Sequence, residues 1–197
     1  CPMGFAQGKR GQATCTPCSS GQFTDLQGVN NCSRCPSGHF VELGGLSVCK
    51  ACAEGFAQFG LGETECLSCD SGEFGASLGS PICASCPAGY VTEVGGLSVC
   101  KACAQGFAQS GIGETSCVSC DSGRFGASLA SSICTSCPSG HVAEVGGKSS
   151  CKACTARFFQ PTGVASVCKY CADREHSNGG IKGAAHCVCD DTYVAVR

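Results

Sequence analysis

Cysteine recurs with a step of 17 residues along almost the whole chain. Cys1, Cys18, Cys35, Cys52, Cys69, Cys86, Cys103, Cys120, Cys137, Cys154 and Cys171 form one series, and Cys15, Cys32, Cys49, Cys66, Cys83, Cys100, Cys117, Cys134, Cys151 and Cys168 form the other. The unit is C-x13-C-x2, repeated ten times; an eleventh unit departs from it, since Cys171 is followed by Cys187 and Cys189. So short a unit cannot enclose a hydrophobic interior of its own. The fold class is therefore small and disulfide-rich, mostly irregular with short β-hairpins, as an elongated tandem-repeat rod. Units are counted below in chain order, and positions within a unit from its first Cys.

Glycine keeps the same clock. The fourth position is Gly in units one to nine, from Gly4 to Gly140, and becomes Arg157 in unit ten. The eleventh position is Gly at Gly11, Gly28, Gly45, Gly62, Gly79, Gly96, Gly113 and Gly147, with Ala130 and Val164 as exceptions. Such a schedule predicts positive φ, or close approach of chains, at two fixed points of each unit.

A longer period of 51 residues, three units, lies above the short one: segment 35–85 matches 86–136 at 37 of 51 positions. The aromatic shifts inside it, from the fifth position (Phe5, Phe56, Phe107) to the sixth (Phe23, Phe74, Phe125). Adjacent side chains of an extended segment face opposite ways, so the three unit types present different faces. The domain reading is ten units over 1–170, in blocks 1–51, 52–102 and 103–153 plus 154–170, followed by a degenerate module over 171–197. Loss of the glycine phase in unit ten marks a capping unit. Tyr90–Val94, Gly95-Gly96 and Leu97–Val99 read as a short irregular hairpin.

Three uses of the cysteines compete. Cys is 23 of 197 residues, about 12%, above the roughly 8–10% that marks a disulfide scaffold. A disulfide closing a loop of this length contributes about 3 kcal/mol. C-x2-C-x13-C-x2-C approaches zinc-ribbon spacing, but a tetrathiolate at every second unit would impose a period of two units rather than the three observed. Thioredoxin-type chemistry needs a βαβ framework and one privileged C-x-x-C pair, and the sequence has neither. Disulfides are the reading adopted. Spacing does not fix their connectivity. The simplest choice joins the ends of each unit: Cys1–Cys15, Cys18–Cys32, Cys35–Cys49, Cys52–Cys66, Cys69–Cys83, Cys86–Cys100, Cys103–Cys117, Cys120–Cys134, Cys137–Cys151 and Cys154–Cys168, then Cys171–Cys187. Cys189 is left unpaired within the segment, to bond with residues beyond it or with another chain.

Composition closes other classes. Formal net charge is -2 and 14% of residues are charged, so no basic excess exists to neutralise a nucleic acid. No run of about 18 apolar residues occurs, so no membrane span is expected. The chain opens on Cys1 and reads as a mature or trimmed part of a secreted protein.

The signature Cys86-Pro87-Ala88-Gly89-Tyr90…Cys100-Lys101-Ala102-Cys103 resembles the cysteine-rich repeats of the tumour-necrosis-factor-receptor and ephrin-receptor-like superfamily. Such repeats recur in protist surface proteins, including ciliate immobilisation antigens and mastigoneme-type filament proteins. The resemblance implies that the first Cys of each unit closes on the second. Cys187-Val188-Cys189-Asp190-Asp191-Thr192-Tyr193 looks like the start of an epidermal-growth-factor-like module, without the glycine usual before that Tyr.

Remaining polar residues carry plainer expectations. His39 and His141 occupy the slot of Tyr90, which makes them structural; His176 and His186 complete the four. Asp173, Glu175, Asp190 and Asp191 are scattered acids rather than a calcium site. Lys50, Lys101 and Lys152, with Glu42, Glu93 and Glu144, recur every 51 residues and read as solvated charges rather than pairs between units. Asn31-Cys32-Ser33 fits the N-glycosylation pattern. No catalytic, metal or cofactor constellation can be assembled, so no enzyme is expected. The expected role is an extracellular, cell-surface glycoprotein: a structural rod forming or decorating a filament or coat, through self-association or with other surface proteins. The alternative is a receptor or adhesion ectodomain with a protein ligand. Uniform loop length favours the structural role, because ligand specificity lives in irregular loops.

Overall fold

The structure, a computed structural model, describes residues 1–9, 11–171, 175–177 and 182–189, with the backbone alone at 175–177, 188 and 189. Among the described residues there is no helix, and every strand is two or three residues long and belongs to a two-stranded sheet. Two compact bodies make up the chain. One comprises Cys1–Cys86, Thr92–Lys101 and Ile112–Thr115; the other comprises Pro87–Val91, Ala102–Gly111 and residues from Ser116 onward.

In units one to ten each hairpin pairs the fifth and sixth positions with the sixteenth and seventeenth, while unit eleven pairs Glu175–Ser177 with Cys187–Cys189. In unit two, Gln22 lies opposite Arg34 and Phe23 opposite Ser33. The same antiparallel register holds for Phe5–Ala6 with Thr16–Pro17, His39–Phe40 with Lys50–Ala51, and Phe56–Ala57 with Leu67–Ser68. A tight turn feeds each one. The Gln22 N–H donates to the Ser19 carbonyl at 2.9 Å and the His39 N–H to the Pro36 carbonyl at 3.1 Å. The third residue of that turn is the fourth-position glycine, with φ +77 at Gly21 and Gly38, the feature that requires glycine in a type II turn.

The hairpin expected to close at Gly95-Gly96 sits elsewhere. Its strands are Tyr90–Val91 and Lys101–Ala102, and Leu97–Val99 is not a strand. The physical reason lies in the loop between the strands. Its backbone groups bond to a neighbouring unit instead of to each other, so this ladder does not extend beyond two residues.

Three links between units recur. The fourth-position N–H donates to the seventh-position carbonyl of the next unit: Gly4 to Thr24 at 2.8 Å, Gly21 to Val41 at 2.8 Å and Gly55 to Gly75 at 2.9 Å. The seventh-position N–H reaches the twelfth-position carbonyl of the next unit, as Gln7 to Val29 at 3.2 Å and Gly75 to Leu97 at 3.1 Å. The eleventh-position N–H returns to the first Cys carbonyl of the preceding unit, as Gly45 to Cys18, Gly62 to Cys35 and Gly79 to Cys52, each at 2.8 Å. Almost every loop donor and acceptor named here leaves its own unit, which satisfies buried backbone groups without a wide sheet.

The two glycine positions serve different purposes. A Cβ on Gly4, Gly21 or Gly38 would run into the carbonyl of Gly45, Gly62 or Gly79, two units further on. The fourth position thus needs both positive φ and an absent side chain. At the eleventh position φ is also positive, yet a Cβ on Gly28, Gly96 or Gly147 would meet nothing within 4 Å, and on Gly62 or Gly79 its nearest neighbour would be the side chain of Arg34 at 3.2 Å or of His39 at 3.3 Å rather than a backbone carbonyl. The exceptions obey this difference. Ala130 and Val164 stand at the permissive position with φ of 57 and 62. Arg157, with φ 69, stands at the strict position of unit ten, where the described residues contain no unit two steps on.

The buried interior consists mainly of half-cystines. The first Cys of units two to eleven is at most 2% exposed, from Cys18 to Cys171, and Val41, Val91, Ala57, Ala108 and Val142 join them. Larger aliphatics point outward, among them Leu43, Leu61, Leu78 and Ile112. Cross-linked sulfur therefore occupies the place that Leu and Phe fill in an ordinary core.

Candidate functional site: the repeated disulfides and their surroundings

Ten disulfides close loops of equal span: Cys1–Cys15, Cys18–Cys32, Cys35–Cys49, Cys52–Cys66, Cys69–Cys83, Cys86–Cys100, Cys103–Cys117, Cys120–Cys134, Cys137–Cys151 and Cys154–Cys168, each with a sequence separation of 14. Cys171–Cys187 spans 16. The side chain of Cys189 lies outside the described residues, as do Asp173, Asp190, Asp191 and the side chains of Glu175 and His176. Cα–Cα distances run from 5.4 Å at Cys1–Cys15 to 5.8 Å at Cys35–Cys49, within the range a disulfide spans without backbone movement. The tight turn over positions two to five folds the first Cys back beside the sixth position, and the register sets the sixteenth opposite the sixth, next to the second Cys.

A disulfide sulfur has no thiolate to offer a metal or a substrate. Among the described residues, no group of three or more His, Cys, Asp or Glu could hold a metal ion. In units two to eleven each bond ties a buried half-cystine, such as Cys69 at 1% exposure, to a half-exposed partner at the mouth of its loop.

Polar side chains reinforce the loops on the three-unit schedule. Gln58 donates from Nε2 to the Glu65 carbonyl at 2.8 Å and accepts the Gly60 N–H at Oε1 at 3.0 Å. Gln109 and Gln160 make the same pair of bonds, to Ser116 and Gly111 and to Val167 and Thr162. One amide thus fixes both ends of a loop that has no strand. In unit six a buried Thr stands at the same position: Thr92, 1% exposed, accepts the Gly72 N–H at 2.7 Å and donates to the Glu73 carbonyl at 3.3 Å. The Gln set escaped the sequence reading, although Gln7, Gln58, Gln109 and Gln160 recur every 51 residues. That recurrence is the signal that would have found it.

The other singled-out residues have local roles. The Nδ1–H of His39 donates to the Ser37 carbonyl at 3.3 Å, and that of His141 to the Ser139 carbonyl at 3.2 Å. Both rings also lie beside an eleventh-position-type glycine two units on, Gly79 and Gly183. Lys152 approaches Glu144 of its own unit at 3.8 Å, with side chains 71% and 61% exposed, so the contact is screened and weak. Asn31 is exposed at the fourteenth position, next to the bonded Cys32. In unit ten Phe158 and Tyr170, cross-strand partners, meet edge to face with ring centroids 5.3 Å apart.

Among the described residues no helix is long and apolar enough to cross a membrane. Repeated disulfide-rich, helix-free units of this kind fit an extracellular structural or ectodomain role. No family model matches the chain, and no curated protein matches it.

Proposed function

We propose that this chain is an extracellular structural protein, a disulfide-stapled rod that forms or decorates a cell-surface filament or coat. It is of the kind built from tumour-necrosis-factor-receptor or ephrin-receptor-like repeats in protist surface proteins. The observation that carries this reading is the constancy of the links between units. Gly4 to Thr24, Gly21 to Val41 and Gly123 to Ala143 are one hydrogen bond, each at 2.8 Å. Units joined by one repeated set of bonds turn by a near-constant step and offer the same face at regular intervals. Contacts between such faces propagate without closing, and propagation builds fibres. The role includes no catalytic step.

Negative-stain imaging of the oxidised, secreted protein tests this directly. Long polymers with an axial repeat set by three units are expected. Discrete monomers at all concentrations would contradict it.

The second reading is a receptor or adhesion ectodomain. The exposed aliphatic side chains support it, since contiguous exposed apolar surface marks sites of protein interaction. It predicts a monomer or small oligomer in which a single loop carries most of the affinity for a different protein.

A further inference from the structure

In units three to seven the eleventh-position glycine touches two earlier turns at once. The Gly45 N–H donates to the Cys18 carbonyl at 2.8 Å, while its own carbonyl lies against Gly4. Gly62 does the same with Cys35 and Gly21. The Cys18–Gly21 turn is therefore flanked by Gly45 at one end and Gly62 at the other, which sets the loop tips of units three and four side by side. The pattern continues through Gly79, Gly96 and Gly113, all within the first compact body.

One or two residues before each of these glycines, and before Gly28 of unit two, stands an exposed aliphatic side chain. Leu26 is 62% exposed, Leu43 70%, Leu61 61%, Leu78 69%, Val94 60% and Ile112 71%. Six consecutive tips thus form a row of apolar side chains with one member per unit. No packing role within the chain explains them. Together they offer on the order of 500 Å² of apolar surface, against about 800 Å² per partner in a standard interface.

We infer that this row is the surface by which two copies of the chain pair laterally, tip row against tip row. The inference rests on the filament reading and gives that assembly its contact surface. A second copy carries the same 17-residue step, so every tip meets a tip, and the same patch serves on both sides. The area supports a stable contact once rim residues are added. Charge sets a further property. The six loops, 25–31, 42–48, 59–65, 76–82, 93–99 and 112–115, contain Asp25, Glu42, Glu63, Glu65, Glu93 and Glu114 and no Lys or Arg. Pairing brings these acids together, so salt strengthens it by screening them. A partner bearing basic side chains would show the reverse.

The test is sedimentation velocity on the oxidised full chain across a range of NaCl, beside two variants. Leu43→Ser, Leu61→Ser and Leu78→Ser together strip the middle of the row. Val48→Ser and Val99→Ser remove aliphatics 65% and 69% exposed that stand at the fourteenth position, next to the second Cys of their units. Expected are association that strengthens with salt, a loss of about tenfold or more in the tip variant, and little change in the control. Unchanged non-reducing disulfide maps certify that both variants fold. Salt-strengthened polymers that survive in the tip variant overturn this surface and leave the filament reading standing. A wild-type chain that stays monomeric overturns both. Association that salt weakens overturns the pairing of like rows and assigns the row to a basic partner.

Discussion

Gly72→Ala is expected to destabilise unit five and its neighbours by about 3 kcal/mol or more, whereas Gly96→Ala costs about 1 kcal/mol. Both glycines have positive φ, +84 and +76, so an L side chain is strained at either place. Only Gly72 also lacks room: an added Cβ would collide with the Gly113 carbonyl oxygen, while at Gly96 it would meet nothing within 4 Å. A backbone carbonyl cannot swing aside as a side chain does. The Gly113 loop must move, and its hydrogen bond to the Cys86 carbonyl, 2.8 Å long, is lost with it. Peptide-resolved hydrogen exchange on both variants under non-reducing conditions would read the difference. Equal effects at the two positions would show that φ alone governs these glycines.

Replacing Cys69 and Cys83 together by Ala is expected to cost about 3 kcal/mol, and the damage should spread. Unit five is held from both sides: Gly55 donates to the Gly75 carbonyl at 2.9 Å, Gly75 donates to Leu97 at 3.1 Å, and Gly96 donates to Cys69 at 2.8 Å. Releasing the loop that contains Gly75 frees partners in units four and six. Faster exchange should therefore appear across all three units in the same measurement, with more distant units retaining protection. Exchange confined to residues 69–85 would mean that each disulfide stabilises its own loop alone.

Much of this was legible in the cysteine step, because a covalent cross-link at a fixed separation leaves little freedom in the loop it closes. The glycine schedule announced positive φ as well. It did not announce which glycine also needs space, since both positions look alike in sequence. The sole clue was the identity of the exceptions, Ala130 and Val164 at one position and Arg157 at the other. The hairpin at Tyr90–Val91 was displaced from the expected one because the sequence cannot reveal that a loop donates its backbone to the next unit. Apolar residues carried no comparable signal. A regularly spaced Leu ordinarily marks an inward face, yet Leu61 and Leu78 are 61% and 69% exposed. Here the inward place belongs to Cys69 and Cys86, at 1% and 0% exposure. The loop-pinning Gln58 and Gln160, at 5% and 4% exposure, were equally hidden, because a polar residue in a loop reads as solvated.

The central claim is that disulfides, together with the backbone bonds they position, do the work of a hydrophobic core. Hydrogen exchange on the intact chain with and without a phosphine reductant, at neutral pH and without alkylation, addresses it most directly. The expected result is protection of the fourth-, seventh- and eleventh-position amides in the oxidised chain and its loss throughout residues 1–171 on reduction. Protection that persists in the reduced chain would mean that packing alone sustains the fold, and would contradict the claim.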